Sequence, residues 1–394
     1  MKDNIVIVAG ARTAVGKFGG ALKDYEASDL GAIVIKEALE RAGVPSDDVD
    51  EVVMGCVATA AENAFMARLA SVKAGIPYKA GAQTVNRLCA SGLQAIVTGA
   101  IEISSGFADV VVAGGAESMT NIPFYLRKAR FGYRMSHGQL EDGLLTALTD
   151  PFSGEHMGIT AENVAERYHI TREEQDEYAL LSQKRAAEAR DAGRFKDEIV
   201  PVEVRVGKKD IAVFDVDEYI RDNVSMEGLS KLMPAFKKNG TVTAGNASGI
   251  NDAGAAVVLM RESEAEKRGI KPIVRIIDSA VAGVDPAYMG TGPIYSTEKL
   301  LEKTGLTVKD IGLYELNEAF ASQTLACMRE LGLDIEKVNV NGSGISIGHP
   351  IGCTGAMITI KLMNEMARRQ IQYGIATLCI GGGQGLSVLF ELCK

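Results

Sequence analysis

Arg41-Ala42-Gly43-Val44-Pro45-Ser46-Asp47-Asp48-Val49 is echoed 262 residues later by Lys303-Thr304-Gly305-Leu306-Thr307-Val308-Lys309-Asp310-Ile311. Each stretch ends a helical pattern on a charged residue, stops at glycine and turns through polar residues into an apolar one, which is how a helix hands over to a strand. Working outward, Cys89-Ala90-Ser91-Gly92 falls against Cys353-Thr354-Gly355-Ala356 at offset 264. Ala113-Gly114-Gly115-Ala116 falls against Ile380-Gly381-Gly382-Gly383 at offset 267. Shared loop composition would explain any one match. Three in order, with slowly drifting offsets, argue for an ancient duplication.

The rest of the pattern alternates strands and helices, the mark of an α/β chain. Residues 5–9, 52–54 and 110–113 read as buried strands, and 30–41 as a helix capped by Asp29 and stopped by Gly43. The later part repeats the order. A helix is expected near 297–303, a strand at 313–316, a helix at 318–331, a strand at 338–340, a helix at 354–366 and a strand at 375–380. Residues 120–249 have no counterpart in the second half. They carry charged helices such as 171–190 and irregular loops, and read as an insertion over the site, where lid and ligand-holding segments are common.

Composition bounds the function. The chain has 394 residues, 46% hydrophobic and 24% charged, enough for two cores of an α/β protein. Its net charge of −9 and lack of a long basic run argue against a nucleic-acid partner. No apolar stretch reads as a membrane span, and Met1-Lys2-Asp3-Asn4-Ile5-Val6-Ile7-Val8 runs straight into a strand without a cleavage site, so no signal peptide is expected. Six scattered cysteines without a CxxC suggest neither a disulfide framework nor a metal site, and fit a reducing cytoplasm.

Two of those cysteines stand at element ends rich in glycine. Cys89 lies where an apolar helical run begins, in Val85-Asn86-Arg87-Leu88-Cys89-Ala90-Ser91-Gly92. A helix N-terminus favours a thiolate, which would make Cys89 a nucleophile forming a thioester intermediate. A small buried residue is the bland alternative. Cys379 closes a buried strand before Gly381-Gly382-Gly383, whose backbone N–H groups can form an oxyanion hole, and a second thiol can serve as acid or base. A core strand cysteine reads equally well, as Cys56, Cys327, Cys353 and Cys393 do. His349, in Gly348-His349-Pro350-Ile351-Gly352, is one of four histidines, and the glycines at 342, 344, 348, 352 and 355 let loop backbone pack closely around it. It can activate Cys89 or donate to an oxyanion. Asn317 can hold a water or carbonyl, or cap a helix, and Glu318 can orient a histidine.

With these motifs in order, the chain resembles the thiolases from end to end: Asn86-Arg87-Leu88-Cys89-Ala90-Ser91-Gly92, Asn317-Glu318-Ala319-Phe320, Gly348-His349-Pro350-Ile351-Gly352 and Cys379-Ile380-Gly381-Gly382-Gly383-Gln384-Gly385. The resemblance implies two similar βαβ-rich halves in a five-layered αβαβα core, with a loop domain over coenzyme A. The expected divisions are 1–119 with 250–270, the insertion 120–249, and 271–394.

The resemblance also implies roles. Cys89 is the acylated nucleophile, and Cys379 removes the α-proton of a second acyl-CoA. His349, with a water held by Asn317, stabilises the enolate, and the amides of Cys89 and Gly381 stabilise the tetrahedral intermediate. His156, Met157 and Met289 match positions closing the acyl pocket of short-chain, biosynthetic-type members. Phe236, Ala244, Ser248, Ala319 and Phe320 belong to the segments lining the pantetheine channel. Arg221 matches a residue beside the adenine, and 125–145 resembles a tetramerisation loop, with Phe131, Tyr133 and Met135 otherwise exposed. The implied activity is reversible condensation of two acetyl-CoA, with coenzyme A as part of the substrate, no metal or redox cofactor, and a homotetramer built as a dimer of dimers. Departures at 341–346 and at Cys353, and the degradative look of Asn86-Arg87-Leu88-Cys89, bear on chain length. The alternatives are a longer-chain degradative thiolase, a ketoacyl synthase, which would lack the second cysteine motif, and a non-catalytic acyl carrier, which would lose Cys89, His349 or Cys379.

Overall fold

The computed structural model describes residues 4–135, 137–207 and 210–393. The elements that build the core are β1 (Ile5–Thr13), α1 (Ala27–Ala42), β2 (Glu51–Gly55), α2 (Met66–Lys73), β3 (Gly81–Val85), α3 (Ser91–Ser105) and β4 (Val110–Ser118). After α4 (Met157–Arg167) and α5 (Arg172–Asp191) come β5 (Asn251–Arg261), β6 (Val274–Gly283), α6 (Gly292–Thr304), β7 (Leu313–Leu316), α7 (Ala321–Leu331), α8 (Thr354–Arg369), β8 (Tyr373–Ile380) and β9 (Gln384–Leu392).

The strands run in the order β7-β8-β9-β6-β1-β5-β4-β2-β3. The order is the same outward from the centre in both halves. β1 neighbours β5, then β4, then β2, and β6 neighbours β9, then β8, then β7. The halves meet where β1 and β6 pair antiparallel over three residues, Ile5 to Ile276, Val6 to Arg275 and Ile7 to Val274. β2 is parallel to β4 and β7 is parallel to β8, whereas β5 and β9 are antiparallel to their neighbours.

Alternation along each strand feeds a different layer on each face. Ile5 and Ile7 join a core with Leu93 and Ile96 of α3 and Met357 and Ile360 of α8. Val6 and Val8 join Leu30 and Val34 of α1 and Met66 of α2 on the opposite face. In the second half, Tyr314, Ile375 and Leu389 pack under Leu300 of α6 and Cys327 of α7. The result is α1/α2, sheet, α3/α8, sheet, α6/α7, five layers with two helices sealed at the centre. Among the described residues one stretch, Leu88–Ser105, is long and apolar enough to cross a membrane. It is this central helix, and its apolarity is used in the core, where Leu93, Ala95, Ile96 and Ile103 are fully buried.

The duplication is visible in three dimensions, with a corrected register. α1 ends on Gly43 (φ 63°) and α6 on Gly305 (φ 71°), both left-handed caps, and 3₁₀ turns follow at Ser46–Asp48 and Val308–Asp310. The offset of 262 therefore holds. α3 and α8 begin at Ser91 and Thr354, an offset of 263 rather than 264, so Gly352 and not Cys353 is the counterpart of Cys89. Gly92 and Gly355 then coincide, and they are where the two helices touch. A Cβ on Gly355 would sit 2.2 Å from the Leu93 nitrogen. The third match is fortuitous. Gly114 and Gly115 lie inside β4, while Gly381–Gly383 form the turn between β8 and β9.

Local corrections are few. Glu26, not Asp29, caps α1, and Asp29 returns the bond as the third residue of a capping box. The helix expected from 318 starts at Ala321, because Phe320 before it is extended (φ −147°, ψ 146°). The strand expected at 338–340 is a single parallel bridge from Val338 to Tyr314. Residues 119–250 connect β4 to β5, where the second half uses only Gly381–Gly383. This long connection is fastened to the core by Arg12, fully buried, which donates to Glu198 (2.9 Å) and to both oxygens of Asp217 (2.7 and 3.0 Å).

Candidate active site

The turn between β3 and α3 is wound tightly. Leu88 has φ 45°, a left-handed conformation that costs a branched residue energy and persists only when its surroundings impose it. Here the Leu88 N–H donates to Asn86 Oδ1 (2.9 Å), the Arg87 N–H donates to Ser91 Oγ (2.9 Å), and the Ser91 hydroxyl donates to the Leu88 carbonyl (2.7 Å). Cys89 is thereby presented to a cavity of about 450 Å³ that His349 and Gly381 also line.

The thiolate expected at a helix start is not what the surroundings favour. Burial pushes the Cys89 thiol up to about 11, the backbone N–H groups of Gly381 and Cys89 itself pull it down, and the nearby Glu117 carboxylate pushes it up again. His349 is 5% exposed, and burial drops its imidazole to about 4, so it is neutral at pH 7. Its Nδ1 lies 2.7 Å from Thr354 Oγ1, and its backbone N–H donates to Asn251 Oδ1 (2.9 Å). Asn317 Nδ2 stands 3.4 and 3.5 Å from the two ring nitrogens, while Asn317 Oδ1, though buried, has no hydrogen-bond partner among the described residues.

Cys379 is the residue before the last of β8 and is fully buried behind the cavity, packed with Met289, Ala319 and Phe320. Burial, then the proximity of Cys89, hold its thiol well above the usual range. The turn that follows depends on glycine: Gly383 has φ 84°, and a Cβ there would meet the Val284 oxygen at 2.3 Å.

Part of the cavity lining is aromatic. Phe236 stacks on His156 (centroids 4.7 Å apart, 14° between planes) and meets Phe320 edge-on at 6.3 Å. His156 Nδ1 accepts from the Gly158 N–H (3.0 Å) and so caps α4. Met157, Ala244, Ser248, Met289 and Ala319 line the same cavity. Arg221 does not line the cavity. It borders a separate cleft with Gln183 and Lys184, and its guanidinium lies 4.9 Å from the ring of Tyr219, which does line the cavity. Glu318 does not orient His349. Its carboxylate accepts from Tyr178 (2.9 Å), Ser182 (2.6 Å), Asn339 Nδ2 (3.0 Å) and the Ile345 N–H (3.1 Å), and so fixes the loop behind Asn317. Asn317 caps no helix.

Three supporting residues escaped sequence reasoning. Glu117 is fully buried and accepts from the Val57 (2.8 Å), Ala58 (3.1 Å) and Gly352 (2.9 Å) amides and from the Cys56 thiol (3.5 Å). Through Val57, whose carbonyl accepts from Asn86 Nδ2 (3.2 Å), it ties the Cys89 turn to the His349 loop. Its signal was a carboxylate at the end of an otherwise apolar strand, since such a group is buried only when fully bonded. Asn251 and Thr354 gave no such signal. Leu148, Met119 and Ile351 also line the cavity.

The sequence matches the family profile described as the thiolase N-terminal domain over residues 5–263 and the thiolase C-terminal domain over 270–392. The chain belongs to the thiolase family. Among relatives of this thiolase, beta-ketothiolase BktB of Cupriavidus necator is 53% identical, with 99% of this chain and 100% of the relative covered. An acetyl-CoA acetyltransferase of Syntrophomonas wolfei is 52% identical, with the same shares covered. The crystal structure of Bacillus anthracis acetyl-CoA acetyltransferase superposes with a TM-score of 0.98 at 47% identity, over 100% of this chain and 99% of that one. Human mitochondrial 3-ketoacyl-CoA thiolase in complex with CoA gives 0.96 at 44%, over 100% and 98%. The duplicated five-layered fold of this thiolase is thus the fold of its relatives.

Proposed function

We propose that this thiolase is an acetyl-CoA C-acetyltransferase, joining two acetyl-CoA into acetoacetyl-CoA and free coenzyme A, reversibly. One juxtaposition carries the assignment. Cys89, His349 and Gly381 converge on one apolar cavity, with Cys379 buried just behind it.

The protonation states suggest the order of events. Cys89 starts as a thiol and His349 as a neutral base. As the sulfur attacks the acetyl carbonyl, its proton passes to His349, and the Cys89 and Gly381 amides receive the oxyanion. The Cys379 thiol protonates the departing coenzyme A sulfur and becomes a thiolate. A thiol of raised pKa gives a strongly basic thiolate, which suits the weakly acidic α-carbon of the second acetyl-CoA. Cys379 takes that proton, and protonated His349, with a water on Asn317, holds the enolate oxygen. Carbon–carbon bond formation expels Cys89 as a thiolate, which recovers its proton from His349. Every group returns to its starting state, and no metal or redox cofactor is needed.

In the same proposal, His156, Met157 and Met289 close the acyl pocket. Phe236, Ala244, Ser248, Ala319 and Phe320 line the pantetheine channel, and Arg221 lies toward the adenine through Tyr219. We assign 1–119 with 250–270 and 271–394 to the two halves and 120–249 to coenzyme A binding and assembly, place the enzyme in the cytoplasm, and take its assembly to be a homotetramer. The flexible Met157 and Met289 side chains at the acyl end, and the likeness to a 3-ketoacyl-CoA thiolase, support a second reading in which longer acyl chains are accepted. Thiolysis rates on 3-ketoacyl-CoA substrates of increasing length decide between them. A fall beyond acetoacetyl-CoA supports the first reading, a rise the second, and no thiolysis at any length removes both.

A further inference from the structure

His349 does not stand alone. Its Nδ1 meets Thr354 Oγ1 at 2.7 Å, and Thr354 is the first residue of α8, with its hydroxyl aimed at the Pro350 carbonyl four residues back (2.9 Å). A threonine hydroxyl has one proton and two lone pairs. If that proton goes to Pro350, Oγ1 can only accept from the imidazole.

The other half of the molecule shows the same device. Ser91 is the first residue of α3, the counterpart of Thr354 at the offset of 263. Its hydroxyl donates to the Leu88 carbonyl (2.7 Å), three residues back, and its oxygen accepts from the Arg87 N–H (2.9 Å). Two equivalent helices therefore begin with a hydroxyl that gives its proton to a preceding carbonyl and keeps a lone pair for the catalytic loop. In one half the lone pair shapes the Cys89 turn. In the other it faces His349.

We infer that Thr354 is a positioning residue that holds the His349 proton on Nδ1, so that Nε2 is the nitrogen that accepts and returns the Cys89 proton. This rests on the thiolase chemistry proposed above, which needs one ring nitrogen free to take a proton and then to donate it. Thr354 Oγ1 is fully buried, so without it an Nδ1–H would lose its partner inside the protein, and the imidazole would shift its proton to Nε2. A proton there blocks uptake from Cys89. The choice of tautomer through the partner of the other nitrogen is the general rule for working histidines.

The test uses the full-length protein with Thr354→Val, which keeps the shape and removes the hydroxyl, and Thr354→Ser, which keeps the hydroxyl. Neutron diffraction from deuterium-exchanged crystals at pH 7 locates the His349 deuteron directly, whatever the activity. The expected result is a deuteron on Nδ1 in the wild type and in Thr354→Ser, and on Nε2 in Thr354→Val. Acetylation of Cys89 by acetyl-CoA should slow in Thr354→Val by about 10²-fold, the lower end of what positioned proton transfer supplies. KM should be unchanged, and Thr354→Ser should stay within about threefold of wild type. A wild-type deuteron on Nε2, or a Thr354→Val enzyme that acetylates Cys89 at the wild-type rate, overturns the role. A wild-type protein with no thiolysis at all would overturn the assigned activity instead, while the deuteron position would still decide for or against Thr354.

Discussion

A thiol held near 11 is a poor nucleophile until its proton has a destination, so Cys89 and His349 must be judged as a pair. Without substrate, Cys89 alkylation by iodoacetamide is expected to keep rising through pH 9; a plateau below pH 8 would show a stabilised thiolate and contradict the burial argument. Cys89→Ala should abolish both acetyl exchange and condensation, and mass spectrometry after mixing the wild type with acetyl-CoA should find acetyl on Cys89. Cys379→Ala should still accept acetyl but lose condensation by about 10²–10⁴-fold; near-normal condensation would remove Cys379 from the chemistry. His349 also links stability to pH. Its pKa is depressed to about 4 in the fold against 6.5 for the free group, so the unfolded chain takes up the proton first as pH falls. The stability it contributes is present above 6.5 and is lost between 6.5 and 4, and the denaturant midpoint of His349→Asn should fall less steeply across that window than that of the wild type. The residues with the chemistry were readable in sequence because cysteine and histidine among glycines are rare. Glu117, Asn251 and Thr354 were not, because their meaning lies in partners such as Gly352 and His349 that only the fold brings near.

Elements explain why some boundaries were readable and others were not. The ends of α1 and α6 were plain, since each is a charged residue followed by a glycine in the left-handed region. Cys353 resembles Cys89 by residue type alone, which suggests an offset of 264, whereas the helices are aligned by contact, Gly92 against Gly355, at 263. The expected strand at 338–340 failed for a related reason: apolar alternation shows that residues are buried, but not that a neighbouring strand is long enough to pair with them. The glycine contact gives a sharp expectation. With 2.2 Å between a Cβ on Gly355 and backbone of α3, no flexible side chain can yield. Gly355→Ala should therefore destabilise the fold by about 3 kcal/mol, the upper end of overpacking costs, read as a shift in chemical denaturation midpoint. A midpoint within error of wild type would mean that α3 and α8 are not pressed together at the centre of the molecule.

Assembly belongs to the whole molecule, and two of its surfaces ask for partners. β3 ends the sheet, so its outer edge has no strand beside it among the described residues. Unpaired edges of this kind are normally covered. The insertion meanwhile carries Phe131 at 89% and Met135 at 96% exposure, with Leu140 at 63% nearby, while Tyr133 is half-buried rather than exposed. Apolar side chains so exposed in one short segment mark a contact surface. Were each of them self-complementary, together they would generate a dimer of dimers by successive two-fold contacts, whereas one alone would stop at a dimer. Light scattering at micromolar concentration is thus expected to give four times the 41.8 kDa chain mass. Phe131→Glu combined with Met135→Glu should reduce it to twice that mass, because the sheet edge is untouched, and the dimer should keep Cys89 acetylation, since neither residue lines the cavity. A monomer in the wild type, or a tetramer that survives both substitutions, would show that the exposed segment serves another purpose.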